Sequence, residues 1–189
     1  MGDFDLRSFS IEILTEIIHQ SSGSEWFDSV LCQGRLINPR YIPGPDLCHW
    51  FLWRLGCRDS RILCRDVLEL NIRYISPHQA VEMISKGAQR IAAWKSFILE
   101  NSPLPGDIIS IGSSTRGEPK HICIFLRNHE RIWTTVDVVK CNETGRWIIR
   151  EVIRKLNGSM MVDEIGVTKQ LNGWVDISSI SYDESPGIL

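Results

Sequence analysis

The chain has 189 residues, of which 43% are hydrophobic and 23% are charged. This length and composition are typical of one globular domain that buries about 70% of the surface of its unfolded chain. The 21 Lys and Arg against 23 Asp and Glu give a formal charge of −2, which excludes a strong overall field that would attract nucleic acid or an acidic membrane. We therefore expect one domain, residues 1–189, with no nucleic-acid partner.

The start of the chain, MGDFDLRSFSIEIL, lacks the basic and then apolar pattern of a secretory signal. No segment approaches the roughly eighteen consecutive apolar residues of a membrane span. We therefore expect a protein made in the cytoplasm without a signal peptide, or exported by a route that reads no such signal. In that setting we expect reduced thiols rather than disulfides at Cys32, Cys48, Cys57, Cys64, Cys123 and Cys141.

Helical periodicity dominates residues 8–100. A first amphipathic helix is predicted to end near the SSGS segment. A second helix has apolar residues at i, i+3, i+4 and i+7 from Cys48 to Leu55, and Gly56 is expected to close it. A third is predicted from about Ser76 to Glu100.

After Pro103 the apolar period changes to two, in the runs DIISIG, HICIFL, RIWTTVDVV, RWIIREVIRKL and GWVDISSI. Helices followed by strands predict an α+β fold, with a helical N-terminal half whose Cys48 helix packs on an antiparallel β-sheet. Four basic residues in or beside one strand are interpreted as a solvated face, namely Arg146, Arg150, Arg154 and Lys155.

Cys48 lies where the PGPDL segment turns into the second predicted helix. The N-terminus of a helix favours a thiolate, and its unpaired N–H groups can hold a developing oxyanion. Cys48 is therefore a candidate nucleophile. The alternative is that Cys48 is a small buried hydrophobe, as many free cysteines are.

A thiol nucleophile needs a base, for which histidine is the usual residue. His49 is a poor candidate because adjacent residues on a helix do not face each other. His121 opens the strand HICIFL after the loop GSSTRGEP, where a histidine can point into a cleft. The alternative for His121 is an ordinary surface position on a strand.

Asp137 is the candidate third residue, and the hairpin register decides whether it meets His121. A turn centred on His129 places His121 directly opposite Asp137, with Cβ atoms about 4.5–5.5 Å apart. There the carboxylate would orient the imidazole. A two-residue turn at Asn128-His129 places Val136 opposite His121 instead, and the sequence leaves both registers open.

This order of features resembles the NlpC and CHAP branch of papain-like cysteine peptidases and amidases. The resemblance rests on a cysteine at a helix N-terminus, then LPGDIISIG, then the strand-initial histidine of HICIFL. WTTVD followed by GWVDI is similar to bacterial members whose third residue is Asp. The resemblance covers residues 41–180 as a papain-like core, with residues 1–40 as an N-terminal helical extension. The common DCSG of the family is DLCH here.

The resemblance implies amide-bond hydrolysis with Cys48 as nucleophile, His121 as base and Asp137 as orienter. It would place Tyr41 near the oxyanion site, and it implies a structural role for the aspartate of PGD. The proximity of Trp133 to this site suggests that it lines a substrate groove. The implied substrate is a peptidoglycan peptide, cut by a lysin or by an antibacterial effector that acts in the periplasm of a target cell. An effector would have an immunity protein as partner.

Three alternatives stay open. A papain-like effector would use the same residues to cleave, deamidate or acylate a protein of another cell. A non-catalytic binding module would leave Cys48 merely buried. A metal site from Cys57, Cys64 and a histidine is disfavoured because the C-x-x-C spacing of zinc sites is lacking, so no metal or other cofactor is expected.

Overall fold

The computed structural model describes residues 5–20, 43–57, 77–98, 101–112, 121–143, 145 and 147–182. Tyr41, Cys32, Cys64 and residues 113–120 of the loop before His121 lie outside the described residues. None of the helices in the described ranges combines the length and apolar character needed to cross a membrane.

The described residues form three helices, seven strands and one short 3₁₀ turn. The helices are α1 (Leu6–Gln20), α2 (Pro43–Arg54) and α3 (Pro77–Arg90). The strands are β1 (Trp94–Ser96), β2 (Ile108–Gly112), β3 (His121–His129), β4 (Ile132–Lys140), β5 (Trp147–Asn157), β6 (Met160–Asp163) and β7 (Thr168–Val175), and the 3₁₀ turn is Ile177–Ser179.

Strands β2 to β7 close into an antiparallel barrel. The strand order is β1-β7-β2-β3-β4-β5-β6, and β6 also pairs with β7. Along the edge of β7 that does not face β2, Met160 pairs with Gln170, and Trp94 of β1 pairs with Val175. The expectation of an α+β fold, with a helical half packed on a sheet, is therefore wrong: the described chain is mostly β, with three short helices.

Both faces of the barrel wall are buried along β2 and in the central parts of β3 and β4, which explains why these strands are so apolar. On β3, Cys123 and Phe125 point to one side and Ile122 and Ile124 to the other. The inner cluster consists of Ile109, Ile111, Cys123, Phe125, Trp133, Met161, Leu171 and Trp174. The outer cluster joins the wall to all three helices, and its members include Leu14, Cys48, Cys57, Ile84, Ile122 and Ile124. Removing this apolar surface from water is the main force that holds the helices on the barrel.

Helix α2 begins earlier than its sequence pattern suggests. It starts at Pro43, so Cys48 is its sixth residue and lies in the second turn. Prolines are tolerated in a first turn because the N–H groups there have no helical partner. The end of α2 is as predicted: Gly56 has φ of 91°, and the N–H of Cys57 donates to the carbonyl of Leu52 at 2.9 Å.

Helix α3 ends ten residues before the predicted end at Glu100, at Arg90. Ala92 adopts the left-handed conformation with φ of 58°, and the N–H of Ala93 donates to the carbonyl of Ala88 at 2.9 Å. This pattern closes a helix, although glycine is the usual residue at its left-handed position. The chain then continues as β1, which the helical periodicity did not predict.

Helix α1 is tied to the barrel by Arg7. Its guanidinium donates to Asp107 at 2.5 Å, to Asp176 at 2.9 Å and to the carbonyl of Pro105 at 2.9 Å. Asp107 also accepts from the backbone N–H groups of Leu104 and Ile177. The PGD aspartate thus organises the entry to β2, in line with the structural role expected for it.

Candidate active site

His121 and Asp137 meet at the first residue of β3. His121 Nε2 lies 2.5 Å from Asp137 Oδ2. The carboxylate is fully buried, whereas the imidazole is 24% exposed. A buried carboxylate against a partly exposed imidazole is an arrangement that can orient a general base.

The two side chains meet diagonally across the β3–β4 ladder. Ile124 pairs with Val136, and one further step in the same register brings Cys123 opposite Asp137. His121 is then two residues along from the direct partner of Asp137, on the same face of the sheet, which is within reach of long side chains.

Neither predicted hairpin register occurs. The turn is at Glu130-Arg131, where Glu130 has φ of 53°, and His129 pairs with Ile132. The register shifts between Phe125 and Arg127, which marks a β-bulge. The later turn and the bulge together replace the direct His121–Asp137 pair by the diagonal contact.

Asp137 is held by two further side chains. Arg154 Nη1 and Nη2 donate to its Oδ1 and Oδ2 at 2.9 and 2.7 Å, and the Thr135 hydroxyl donates to Oδ1 at 2.5 Å. Arg154 Nη1 also contacts Thr135 Oγ1. Two parallel hydrogen bonds from a guanidinium to a carboxylate are among the strongest hydrogen-bonded pairs in proteins.

The interpretation of the β5 basic residues as one solvated face is wrong for Arg154. Arg154 is 7% exposed, whereas Arg150 is exposed and pairs with Glu164 at 2.7 Å. The two residues lie on the same face of the strand, so alternation alone does not separate them. Arg154 sits where β5 pairs with Trp133 of the inner cluster, and this depth in the barrel accounts for its burial.

The charges in the cluster stabilise each other. Burial would raise the pKa of Asp137, but the positive charge of Arg154 and the hydrogen bond from His121 outweigh it and hold this pKa below its usual range. Burial would lower the pKa of Arg154, but the neighbouring negative groups raise it instead. At neutral pH the pair is therefore a carboxylate and a guanidinium.

Cys123 is the cysteine that the structure places beside this pair. Its Sγ, a ring nitrogen of His121 and a carboxylate oxygen of Asp137 all lie within 4.8 Å of one another. Burial, followed by the negative charge of Asp137, raises the pKa of the Cys123 thiol. Cys123 is therefore a neutral thiol rather than an activated nucleophile.

These three residue types are also metal ligands. However, Arg154 already donates to both oxygens of Asp137, so a metal ion bound there would face a fixed positive charge. The guanidinium thus supplies the cation of this cluster. Of the cysteines of the alternative metal site, Cys57 is buried in the outer cluster and Cys64 lies outside the described residues.

Cys48 belongs to the outer cluster. Its side chain is fully buried, and the cluster also contains Leu47 and Ile122, the residue after His121. Because Cys48 is in the second turn of α2, its N–H lies beyond the four that a helix leaves without a helical partner. The dipole and oxyanion argument for Cys48, which assumed a first-turn position, loses its basis.

Trp133 lies inside the barrel and is 1% exposed. Its ring meets the ring of Phe125 edge to face, with centroids 5.2 Å apart. This places Trp133 in the inner core rather than along a solvent-facing groove.

Comparison with known families, curated proteins and solved structures finds no match to this chain.

Proposed function

We propose that this chain is a hydrolase of amide bonds in which His121, oriented by Asp137, acts as the general base. The observation that carries this proposal is the 2.5 Å contact between the partly exposed His121 ring and a buried carboxylate. Polar groups are costly to bury in an apolar barrel. The hydrogen bonds that Asp137 accepts offset that cost, and its contact with His121 fixes the orientation of the ring. Proton transfer requires such a fixed orientation.

Cys48 is the proposed nucleophile. Helix α2 packs against β3 and β4, the strands that carry His121 and Asp137, so the elements of the proposed triad are neighbours. His121 takes the thiol proton, and the sulfur attacks the amide carbonyl. The C–N bond then breaks while His121 returns the proton to the leaving amine, and water hydrolyses the thioester. Cys48 is buried on the outer face of β3, whereas His121 lies on the inner face with Cys123 and at the end of the strand. This mechanism therefore requires α2 to move when substrate binds, so that the sulfur is exposed and reaches the His121 end of β3.

The proposed substrate is a peptide of peptidoglycan, cut by a lysin or by an antibacterial effector with an immunity protein as partner. This choice rests on the sequence resemblance described above.

Thiol labelling tests the mechanism directly. Limiting iodoacetamide at neutral pH, followed by peptide mapping, should label Cys48 faster than the partly exposed Cys141. His121→Ala should abolish the advantage, whereas His129→Ala, which changes an exposed histidine at the other end of β3, should preserve it. Slow labelling of Cys48 that does not respond to His121→Ala would contradict the mechanism.

A second candidate is a non-catalytic binding module. The full burial of Cys48 in the second turn of α2 favours it, because a core cysteine there needs no chemical role. This candidate predicts that purified peptidoglycan captures the protein and that Cys48→Ser leaves capture unchanged. Release of amines from the same peptidoglycan by the wild type, but not by Cys48→Ser, would rule it out in favour of the hydrolase.

A further inference from the structure

We infer that Arg154 is a positioning residue, which holds Asp137 as a carboxylate and thereby determines which nitrogen of His121 carries the proton. The inference deepens the proposed function and rests on it for its catalytic meaning. With Arg154 the site extends to a third strand, β5, from which no site residue was predicted.

The hydrogen bonds around Asp137 leave it no role but acceptor. Oδ1 accepts hydrogen bonds from Arg154 Nη1 and from the Thr135 hydroxyl. Oδ2 accepts one from Arg154 Nη2 and contacts His121 Nε2. Arg154 has only donors. The oxygen of the Thr135 hydroxyl accepts from Arg154 Nη1, and its hydrogen is donated to Oδ1 at 2.5 Å rather than to the more distant Val152 carbonyl at 3.4 Å.

The proton on His121 follows from this arrangement. Because Asp137 only accepts, the His121 nitrogen that faces it must carry a hydrogen. The neutral ring is then protonated at Nε2, and its Nδ1 lone pair is left for proton transfer. The fork of Arg154 is what keeps the carboxylate in this acceptor-only state, since a protonated Asp137 would have to give up one of its donors.

Charged and titratable groups face the pair from every neighbouring strand. They are His121 and Cys123 on β3, Asp137 on β4, Arg150 and Arg154 on β5, Asp163 on β6 and Lys169 on β7. Within the hydrogen-bonded centre the charges of Asp137 and Arg154 cancel. Without Arg154 a buried negative charge would remain beside His121. The His121–Asp137 pair would then bind a proton more tightly, whichever of the two residues held it.

The test is an NMR titration of the imidazole of His121 in the full chain. Arg154→Met keeps most of the side-chain length and removes the charge. It should raise the midpoint at which the His121–Asp137 pair takes up a proton, followed at the ring of His121, by about one pH unit or more, a tenfold gain in proton affinity. Lys155→Met removes an exposed cation from the opposite face of β5 and should leave the midpoint in place. A folded Arg154→Met protein with an unchanged midpoint would overturn the inference.

Arg154→Lys provides a second reading if Arg154→Met does not fold. Lysine keeps the charge but loses the two-pronged fork. With one of the two Arg154 hydrogen bonds lost, the carboxylate of Asp137 is free to turn away from the ring. Nitrogen shifts of the neutral ring should then show a smaller share of the Nε2-protonated tautomer than in the wild type. An unchanged tautomer ratio would overturn the inference.

Neither reading depends on turnover. If the wild type hydrolyses substrate but the Arg154 variants leave the titration midpoint and the tautomer ratio unchanged, only the role of Arg154 is contradicted. Shifts in both without any hydrolysis would instead count against the proposed function.

Discussion

Arg154 and Asp137 form a doubly hydrogen-bonded ion pair inside the barrel, with Nη1–Oδ1 and Nη2–Oδ2 distances of 2.9 and 2.7 Å. The pair joins neighbouring strands β4 and β5, and the side chains of Asp137 and Arg154 are 0% and 8% exposed. Each charge has lost most of its water, so each depends on the other for stabilisation. The stability of the barrel is thus coupled to the group that orients His121.

Replacing Asp137 by Asn should therefore lower the free energy of unfolding by about 3–5 kcal/mol, because it leaves the Arg154 charge buried without its partner. Urea unfolding followed by circular dichroism measures the change. Glu151→Gln is the control, since it breaks a more exposed carboxylate–arginine pair and should cost at most about 1 kcal/mol. Equal losses in the two variants would contradict the assigned burial of the Asp137 pair.

The contribution of Asp137 should also depend on pH. Its pKa in the folded protein lies below its usual range, so the folded state favours the carboxylate more than the unfolded state does. The stabilisation is complete above the unfolded pKa of about 3.9 and is lost as the pH falls through the lower folded pKa.

Urea unfolding at a series of pH values tests this dependence. The stability difference between wild type and Asp137→Asn should be largest near neutral pH and should shrink as the pH falls below about 4. A difference that grew on acidification would have the wrong sign for this carboxylate.

Arg7→Met should loosen α1 from the barrel. Arg7 donates to the buried Asp107 and to Asp176, and hydrogen bonds to charged groups contribute about 1.5–3 kcal/mol each. Burial raises the pKa of Asp107, so without Arg7 this carboxylate would be still harder to keep ionised. We expect faster proteolysis within α1 and a lower midpoint of urea unfolding, while Arg131→Met, at an exposed turn, should change neither.

Gly173→Ala should weaken the β1–β7 pairing. A Cβ at Gly173 would lie 2.4 Å from the Lys95 carbonyl oxygen, whereas a Cβ at Gly158 would meet nothing within 4 Å. Both glycines have positive φ, but alanine adopts the 59° of Gly158 at a lower cost than the 153° of Gly173, so the extra cost at Gly173 combines backbone strain with the clash. We expect Gly173→Ala to cost about 1–3 kcal/mol more than Gly158→Ala in urea unfolding. Similar costs would argue against the close approach of β1 to β7.

The local pattern of the sequence predicted several features that the structure shows. Alternating residues identified the strands β2 to β5, and helical spacing together with Gly56 identified α2 and its end. The contact between His121 and Asp137 was also predicted, although both proposed hairpin registers were wrong. The Glu130-Arg131 turn was not predicted because neither residue is a usual turn former, and glutamate rarely adopts the positive φ that Glu130 has. The catalytic roles of both residues remain predictions.

Two features of the site escaped the sequence. Arg154 belongs to a strand with several charged residues, and only its depth in the barrel distinguishes it from Arg150. Cys123 was not predicted as a site residue because HICIFL is apolar on both faces. That second apolar face is the signal that could have indicated the inner cluster.

The amino-acid sequence by itself determined where most strands lie, because alternation and helical spacing act through residues close together in the chain. Only the tertiary structure decided that β6 pairs with β7 and closes the barrel, because that pairing depends on strand twist and on contacts distant in sequence. Because the barrel is closed, Arg154 lies in its interior as the buried partner of Asp137 rather than on the surface. The environment of a charge depends on the whole fold, so local pattern could not reveal it.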